Sequence, residues 1–321
     1  MSFLDALSLL PITLVDGLIL GLMYAVIALG YTMVYGVLGL INFAHAEIFM
    51  VGGIVGIEVL TYGTSRSNLP PLLQLLIALV AAATAAGTLA LATERVAYRP
   101  LRERNAPRLV PLITAIGMSL VFQDAVRLIE SLFGNFIRPF PNFDFFSQSV
   151  ALSDTVVVSY KSIVILMVGA AMLLSLTYMV NKSRLGKAIR AVAQDQKAAA
   201  LMGIDVNRII SLTFIIGGAL GGIAGVLYGL QFGKLDPFSG FVPGIKAFTA
   251  AVLGGIGSIP GAMLGGVLLG IIEVCAGTYL PILTDNAIGT EYKDIFAFGI
   301  LILILIFRPA GLLGRNVAEK V

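Results

Sequence analysis

Residues 182–208 read KSRLGKAIRAVAQDQKAAALMGIDVNR and stand between two long apolar runs, 162–180 and 209–230. The stretch holds six basic and two acidic residues, and a charge at the centre of a bilayer costs roughly 2.5–3.5 kcal/mol, so it belongs in water. Each flanking run has about the 20 mostly apolar residues that a membrane span needs. A polar island between two such spans sets the fold class: an all-α polytopic membrane protein. Within the island, Lys197, Ala198 and Ala199 lead through Ala200, Leu201 and Met202 to Gly203. That order predicts a short helix stopped by glycine, because alanine and leucine favour helix and glycine ends it at little steric cost. A new helix starts at Asp205.

Composition agrees. Of 321 residues, 58% are hydrophobic and 12% charged, with mean hydropathy +0.97, against roughly 25% charged residues in soluble domains. Eleven of the 21 Lys and Arg fall in residues 94–108 and 182–208, and three more follow Phe307. Short basic loops are retained on the cytoplasmic side, so the net charge of +3 reflects topology and does not point to nucleic acid. The first twenty residues carry no basic residue and no small-residue cleavage pattern, which reads as the lead-in to a first span. Cys275 is the single cysteine and reads as a packing residue.

Apolar runs at 12–37, 42–62, 72–93, 109–128, 162–180, 209–230, 263–280 and 294–307 are the expected spans. Residues 61–71 and 232–244 are turn-rich outer loops, 94–108 is a cytoplasmic loop with five arginines, and 131–160 is a long extracytoplasmic loop rich in phenylalanine. A loop of that length is uncommon without a purpose; it either docks a partner or lies in the interface. Asp124, Arg127 and Glu130 are spaced to pair along one helix face. Residues 245–259 are too short for an ordinary span and run into Gly254, Gly255 and Gly257, a broken or re-entrant helix whose irregular backbone needs a protein or cavity lining. The count is eight passages if this segment re-enters and nine if it crosses. Nine keeps the basic tail with the other basic segments.

The run 42–62 is chemically unusual, holding Asn42, His45, Glu47 and Glu58. Glu47 and Glu58 are eleven positions apart, which puts both on one helical stripe. Asn42, His45 and Glu47 either line a translocation path at a helix break or cap a helix start, a role for which asparagine is well suited. Glycine-interrupted segments at corresponding places in two halves point to a transport path, and 42–53 with 254–261 is such a candidate pair. There is no G-x-x-x-x-G-K-[ST] sequence to cradle phosphates. One His and one Cys fall short of a metal set, and no nucleophile with a paired base stands out, so the chain is not read as an enzyme.

Several of these segments carry a resemblance. The run around Ala198, Ala199, Gly203 and Asp205 is similar to the E-A-A-x-x-x-G loop of ABC importer permeases, with Lys197 where that motif has Glu; the plain alternative is a solvated loop helix. Asn42-Phe43-Ala44-His45-Ala46-Glu47 through Gly52-Gly53 resembles the signature of LivH-type branched-chain amino acid permeases, with Ala46 in place of glycine. Arg99-Pro100-Leu101-Arg102 and Phe307-Arg308-Pro309-Ala310-Gly311-Leu312-Leu313-Gly314 follow the same pattern.

The resemblance implies a single permease domain over residues 1–321, multi-pass in the inner (plasma) membrane, importing branched-chain or other hydrophobic amino acids. It implies an extracytoplasmic binding protein, a second homologous permease and two ATPase subunits that bind ATP and Mg, with no cofactor in this chain. Coupling would run through Lys197, Ala198, Ala199, Gly203 and Asp205. The alternatives are the same machinery carrying urea, short amides or a broader set of amino acids, and an ion-coupled transporter using His45, Glu47 and Glu58 as a proton relay.

Overall fold

The computed structural model describes residues 8–64, 69–107, 109–134, 136–153 and 156–314. Arg108, Arg315 and Lys320 lie outside them. Helix α1, Leu10–Leu38, is closed by Gly39 in the left-handed conformation. Then come α2, His45–Glu58, continuing as a π-helical turn Val59–Thr64, and α3, Pro71–Thr93, continuing through a π turn Glu94–Tyr98 into α4, Arg99–Glu103. After α5, Leu109–Phe133, the chain forms β1, Arg138–Pro139, α6, Asp144–Ser147, and the strands β2, Ser149–Ser153, and β3, Val156–Ser159. Helix α7 is Tyr160–Lys182, α8 Arg184–Gln194, α9 Gln196–Leu201 and α10 Val206–Phe232. Strand β4, Lys234–Leu235, precedes α11, Phe241–Gly254, α12, Ile259–Leu283, and α13, Lys293–Phe307. Seven of these helical stretches are long and apolar enough to cross a membrane. The two shorter ones, α11 and α13, have 14 and 15 residues.

Small residues set the packing. Helix α1 runs antiparallel to α12 along Gly17, Gly21 and Ala25 against Ile271, Val267 and Gly266. A Cβ on Gly21 would stand 2.7 Å from the Val267 Cα, so the backbones meet where only glycine fits. Between apolar helices in lipid no hydrophobic difference drives association, and close approach of small residues replaces it. Helix α10 uses the same device twice: Gly222 and Gly225 face Gly52 and Gly53 of α2, while Gly218 and Gly222 face Ala86 and Ala82 of α3. Helices α1 and α10 are therefore central, and α5 and α13 are peripheral with most of their apolar side chains exposed.

One end of the bundle gathers the basic segments. Arg102 bonds Asn207, Gln196 bonds the Val37 carbonyl, and residues 312 and 313 donate backbone N–H groups to Leu253 and Gly254. At the other end β1 pairs with β4, and β2 with β3. Among the described residues, successive long helices alternate between these ends: the seven span-length stretches together with the shorter α11 and α13.

Several boundaries differ from the sequence reading, the first three because of polar contacts. The segment beginning at Glu94 stays helical to Glu103 instead of opening as a loop. Glu94 is fully buried there and accepts bonds from Arg102 Nη2 at 3.2 Å and Ser211 Oγ at 2.8 Å. Asn42 does not cap α2, which starts after Ala44; its Oδ1 accepts a bond from Tyr98 Oη at 2.9 Å. Arg127 pairs with Asp124 at 2.9 Å, but Glu130 turns to Arg138 at 2.7 Å. The segments 61–71 and 232–244 are partly helical, because α2 runs on to Thr64 and α11 begins at Phe241. Between 131 and 160 the chain is folded: α5 extends to Phe133 and a β-hairpin follows. There the Phe145 ring stacks on Tyr160 with centroids 5.1 Å apart.

Candidate functional site

The polar island folds as two helices and a sharp stop. Ser183 Oγ accepts the Gly186 N–H at 2.9 Å to start α8, whose inner face of Gly186, Ile189 and Val192 is buried. Asp195 Oδ1 accepts the N–H groups of Lys197 and Ala198 at 2.8 and 3.0 Å, capping α9, as an aspartate at a helix start should. Gly203 has φ +82°, a left-handed conformation that glycine adopts without steric cost, and Asp205 Oδ1 accepts the Arg208 N–H at 3.0 Å to begin α10.

In this arrangement Lys197, Ala198, Gly203 and Asp205 are exposed and Ala199 faces inward. Leu201 and Met202 stand beyond the rest, 89% and 82% exposed. They form an apolar tip on an otherwise polar, capped segment. The segment is mechanically tied to the bundle. Gln196 Nε2 donates to the Val37 carbonyl at 2.8 Å, at the end of α1, and Arg102 Nη2 bonds Asn207 Oδ1 at 2.7 Å, in the first turn of α10. Helix α9 is thus bonded to the end of α1 and runs through Gly203 and Asp205 into α10, whose first turn is bonded to α4.

The second cluster lies inside. The His45 ring packs edge-on against Tyr31 at 4.8 Å, beside Gly30 and Gly221, and its Nε2 has no partner. Glu47 is buried; Ser119 Oγ donates to its Oε1 at 3.3 Å, and Oε2 has no partner. The first turn of α11 arrives at the same place, with Gly240 against Ala46 and Glu47, and Gly244 against Ala46 and Tyr31. Two helix N-termini, α2 entering from the basic end and α11 from the opposite end, meet around one carboxylate. A helix start carries partial positive charge, and paired half-helix starts deep in a membrane protein are the usual makings of a transport site.

Gly254, Gly255 and Gly257 are not part of this meeting. They lie at the far end of α11, where Gly255 and Gly257 have φ +105° and +88° and Gly255 packs on Ala310 and Gly314. The stretch that faces His45 and Glu47 is Gly240–Gly244. Asn42 stands just before α2, toward the basic end, held by Tyr98.

A third group was not singled out from sequence. Lys246 Nζ of α11 lies 2.8 Å from Glu273 Oε1 of α12 and 2.8 Å from Asp294 Oδ1. Lys293 Nζ is 3.0 Å from the same Glu273 oxygen, and Tyr24 Oη donates to Glu273 Oε2 at 2.9 Å. Lys246 and Glu273 are 6% and 2% exposed. One charge of each sign in successive apolar runs was the available signal, since neither is tolerated in a span without the other.

The family described as "Branched-chain amino acid transport system / permease component" matches residues 13–305. The chain belongs to this family. Along nearly its whole length the permease is 48% identical, over 317 residues, to the high-affinity branched-chain amino acid transport system permease protein BraD of Pseudomonas aeruginosa; the alignment covers 96% of this chain and 97% of that one. It is 44% identical over 308 residues to LivH of Escherichia coli K12, covering 95% and 96%. A more distant likeness, 29% over 175 residues, is to the D-allose transport system permease protein AlsC of Escherichia coli, covering 53% and 51%. The permease is thus a polytopic membrane subunit of a transport system.

Proposed function

We propose that this permease forms one membrane half of an ABC importer for branched-chain amino acids in the inner membrane, driven by ATPase subunits that dock on α9. The observation that carries the reading is the capped, glycine-stopped helix with Leu201 and Met202 projecting from it, bonded by Gln196 to the end of α1 and running through Gly203 and the Asp205 cap directly into α10. Family membership supports the transport class, and the names of BraD and LivH support the cargo. ATP and Mg belong to the ATPase partners. A second homologous permease completes the membrane part, and an extracytoplasmic binding protein delivers substrate to the end formed by residues 131–160 and 233–240.

Mechanistically, ATPase closure displaces α9 and carries the base of α10 and the end of α1 with it. Helix α10 is packed on α2 and α3 through glycine, so the motion reaches the junction of α2 and α11 at Glu47. Isolation of the tagged chain from its native membrane in mild detergent tests the assembly: the expected co-purifying set is two ATPase subunits and a second permease. Recovery of the chain alone after cross-linking would overturn the proposal. Uptake that survives collapse of the proton gradient while ATP is maintained separates it from an ion-coupled transporter.

Glu47→Gln keeps shape and burial while removing the charge that two helix starts face. Removing a buried, incompletely paired charge does not destabilise the fold. Uptake per inserted molecule is expected to fall about tenfold, equivalent to about 1.4 kcal/mol. Wild-type uptake in this variant would take Glu47 out of the route.

A further inference from the structure

On the outer half of the bundle a cavity of about 550 Å³ opens between α2 and α5, within the roughly 300–1,000 Å³ typical of small-molecule sites. Its long walls are aliphatic, with Val51 and Val55 on the α2 side and Val126 and Ile129 on the α5 side. Its mouth is charged. Arg138, held in register by the pairing of β1 with β4, lies 3.0 Å from Glu58 Oε1 and 2.7 Å from Glu130 Oε2, both contacts being made through Nε. One guanidinium between two carboxylates gives the mouth a cation, an excess of negative charge and a planar fork of further N–H donors suited to a carboxylate.

We infer that this cavity is an entry subsite for a zwitterionic aliphatic α-amino acid. The inference rests on the importer reading above and adds a place for the cargo within this chain. Arg138 takes the α-carboxylate, Glu58 takes the α-ammonium, and the branched side chain lies along Val51, Val55 and Val126. A lipid tail would also fit the aliphatic walls, but it gives no use to the three charges that converge at Arg138, Glu58 and Glu130. The cavity also leads somewhere. Val51, Val55 and Glu58 share one face of α2 with Glu47, and Val51 is one turn from it; eleven residues at 1.5 Å each place Glu58 about 16 Å along the helix from Glu47. The subsite is the outer end of a stripe whose inner end is the meeting point of α2 and α11.

The test uses the assembled importer in lipid vesicles, with Val55→Cys introduced and the native thiol removed by Cys275→Ser. A small methanethiosulfonate reagent labels position 55, and leucine or arginine is added in excess. Leucine is expected to slow labelling by at least about fivefold, because an occupied site excludes the reagent in proportion to its occupancy; arginine, too long and doubly cationic, leaves the rate unchanged. A second variant, Val55→Trp, places an indole in the cavity while leaving Arg138, Glu58 and Glu130 in the chain. It is expected to lower leucine uptake about tenfold or more per inserted molecule. Equal labelling with and without leucine, together with wild-type uptake by Val55→Trp, overturns the subsite. Wild-type importer run in parallel keeps the two readings apart: failure of that control to take up leucine with ATP overturns the importer reading itself.

Discussion

Uptake should fall about a hundredfold when Leu201 and Met202 are both replaced by aspartate, with the chain still inserted at its normal level. These two side chains are 89% and 82% exposed at the end of α9, so neither contributes to the core of the isolated chain, and new charges there cost the fold nothing. At a docking surface the same side chains act as apolar anchors, and truncating one central anchor typically costs about 2 kcal/mol. Two anchors, with two carboxylates introduced, exceed the roughly 2.8 kcal/mol that corresponds to a hundredfold loss. The measurement is transport per inserted molecule, with ATPase co-purification read alongside it. Wild-type transport and retained ATPase would remove α9 from the contact. Gly203→Trp should act in the same direction: nothing lies within 4 Å of its Cβ position, so the indole would project into the same surface, and a side chain at φ +82° also strains the turn that stops α9.

The largest effect on the fold is expected from Glu273→Leu. The carboxylate holds Lys246, Lys293 and the Tyr24 hydroxyl at once, and removing it leaves Lys246 buried with only the half-exposed Asp294. Breaking a buried ion pair by deleting one partner costs about 3–5 kcal/mol, whereas replacing both by apolar groups is often neutral. The thermal midpoint of the detergent-solubilised chain should drop by on the order of 10 °C, at roughly 2–4 °C per kcal/mol for a chain of this size class. Glu273→Leu with Lys246→Met should recover most of that loss, since the charges left behind, Lys293 and Asp294, are the more exposed ones, with side chains 40% and 36% accessible. A double variant no better than the single one would show that Lys246 and Glu273 are not coupled.

The positions of Lys246 and Glu273 show where sequence reading stops. Each residue is visible as a charge in an apolar run, but their partnership joins α11 to α12 across 27 positions, and no local period encodes it. Glu94 is a similar case. Its neighbours are arginines, which suggests a wet loop, yet Ser211 and Arg102 bury it inside a continuous helix. Which helix each glycine meets is likewise beyond local reading: Gly222 serves α2 and α3 together.

The linear chain by itself determined the membrane class, the alternation of apolar helices with basic segments, and the short helix beginning about Lys197 with its stop at Gly203. All of these follow from transfer energies and local backbone preference, which act over a few residues. The stripe joining Glu47 to Glu58 also follows from helical period alone. Only the tertiary structure decided that Gly240–Gly244, and not Gly254–Gly257, meets Glu47, that residues 310–314 are laid against the end of α11, and that Arg138 closes a cavity between α2 and α5. Those choices depend on which small-residue faces fit together once the helices are inserted, and that is a property of pairs of surfaces distant in the chain.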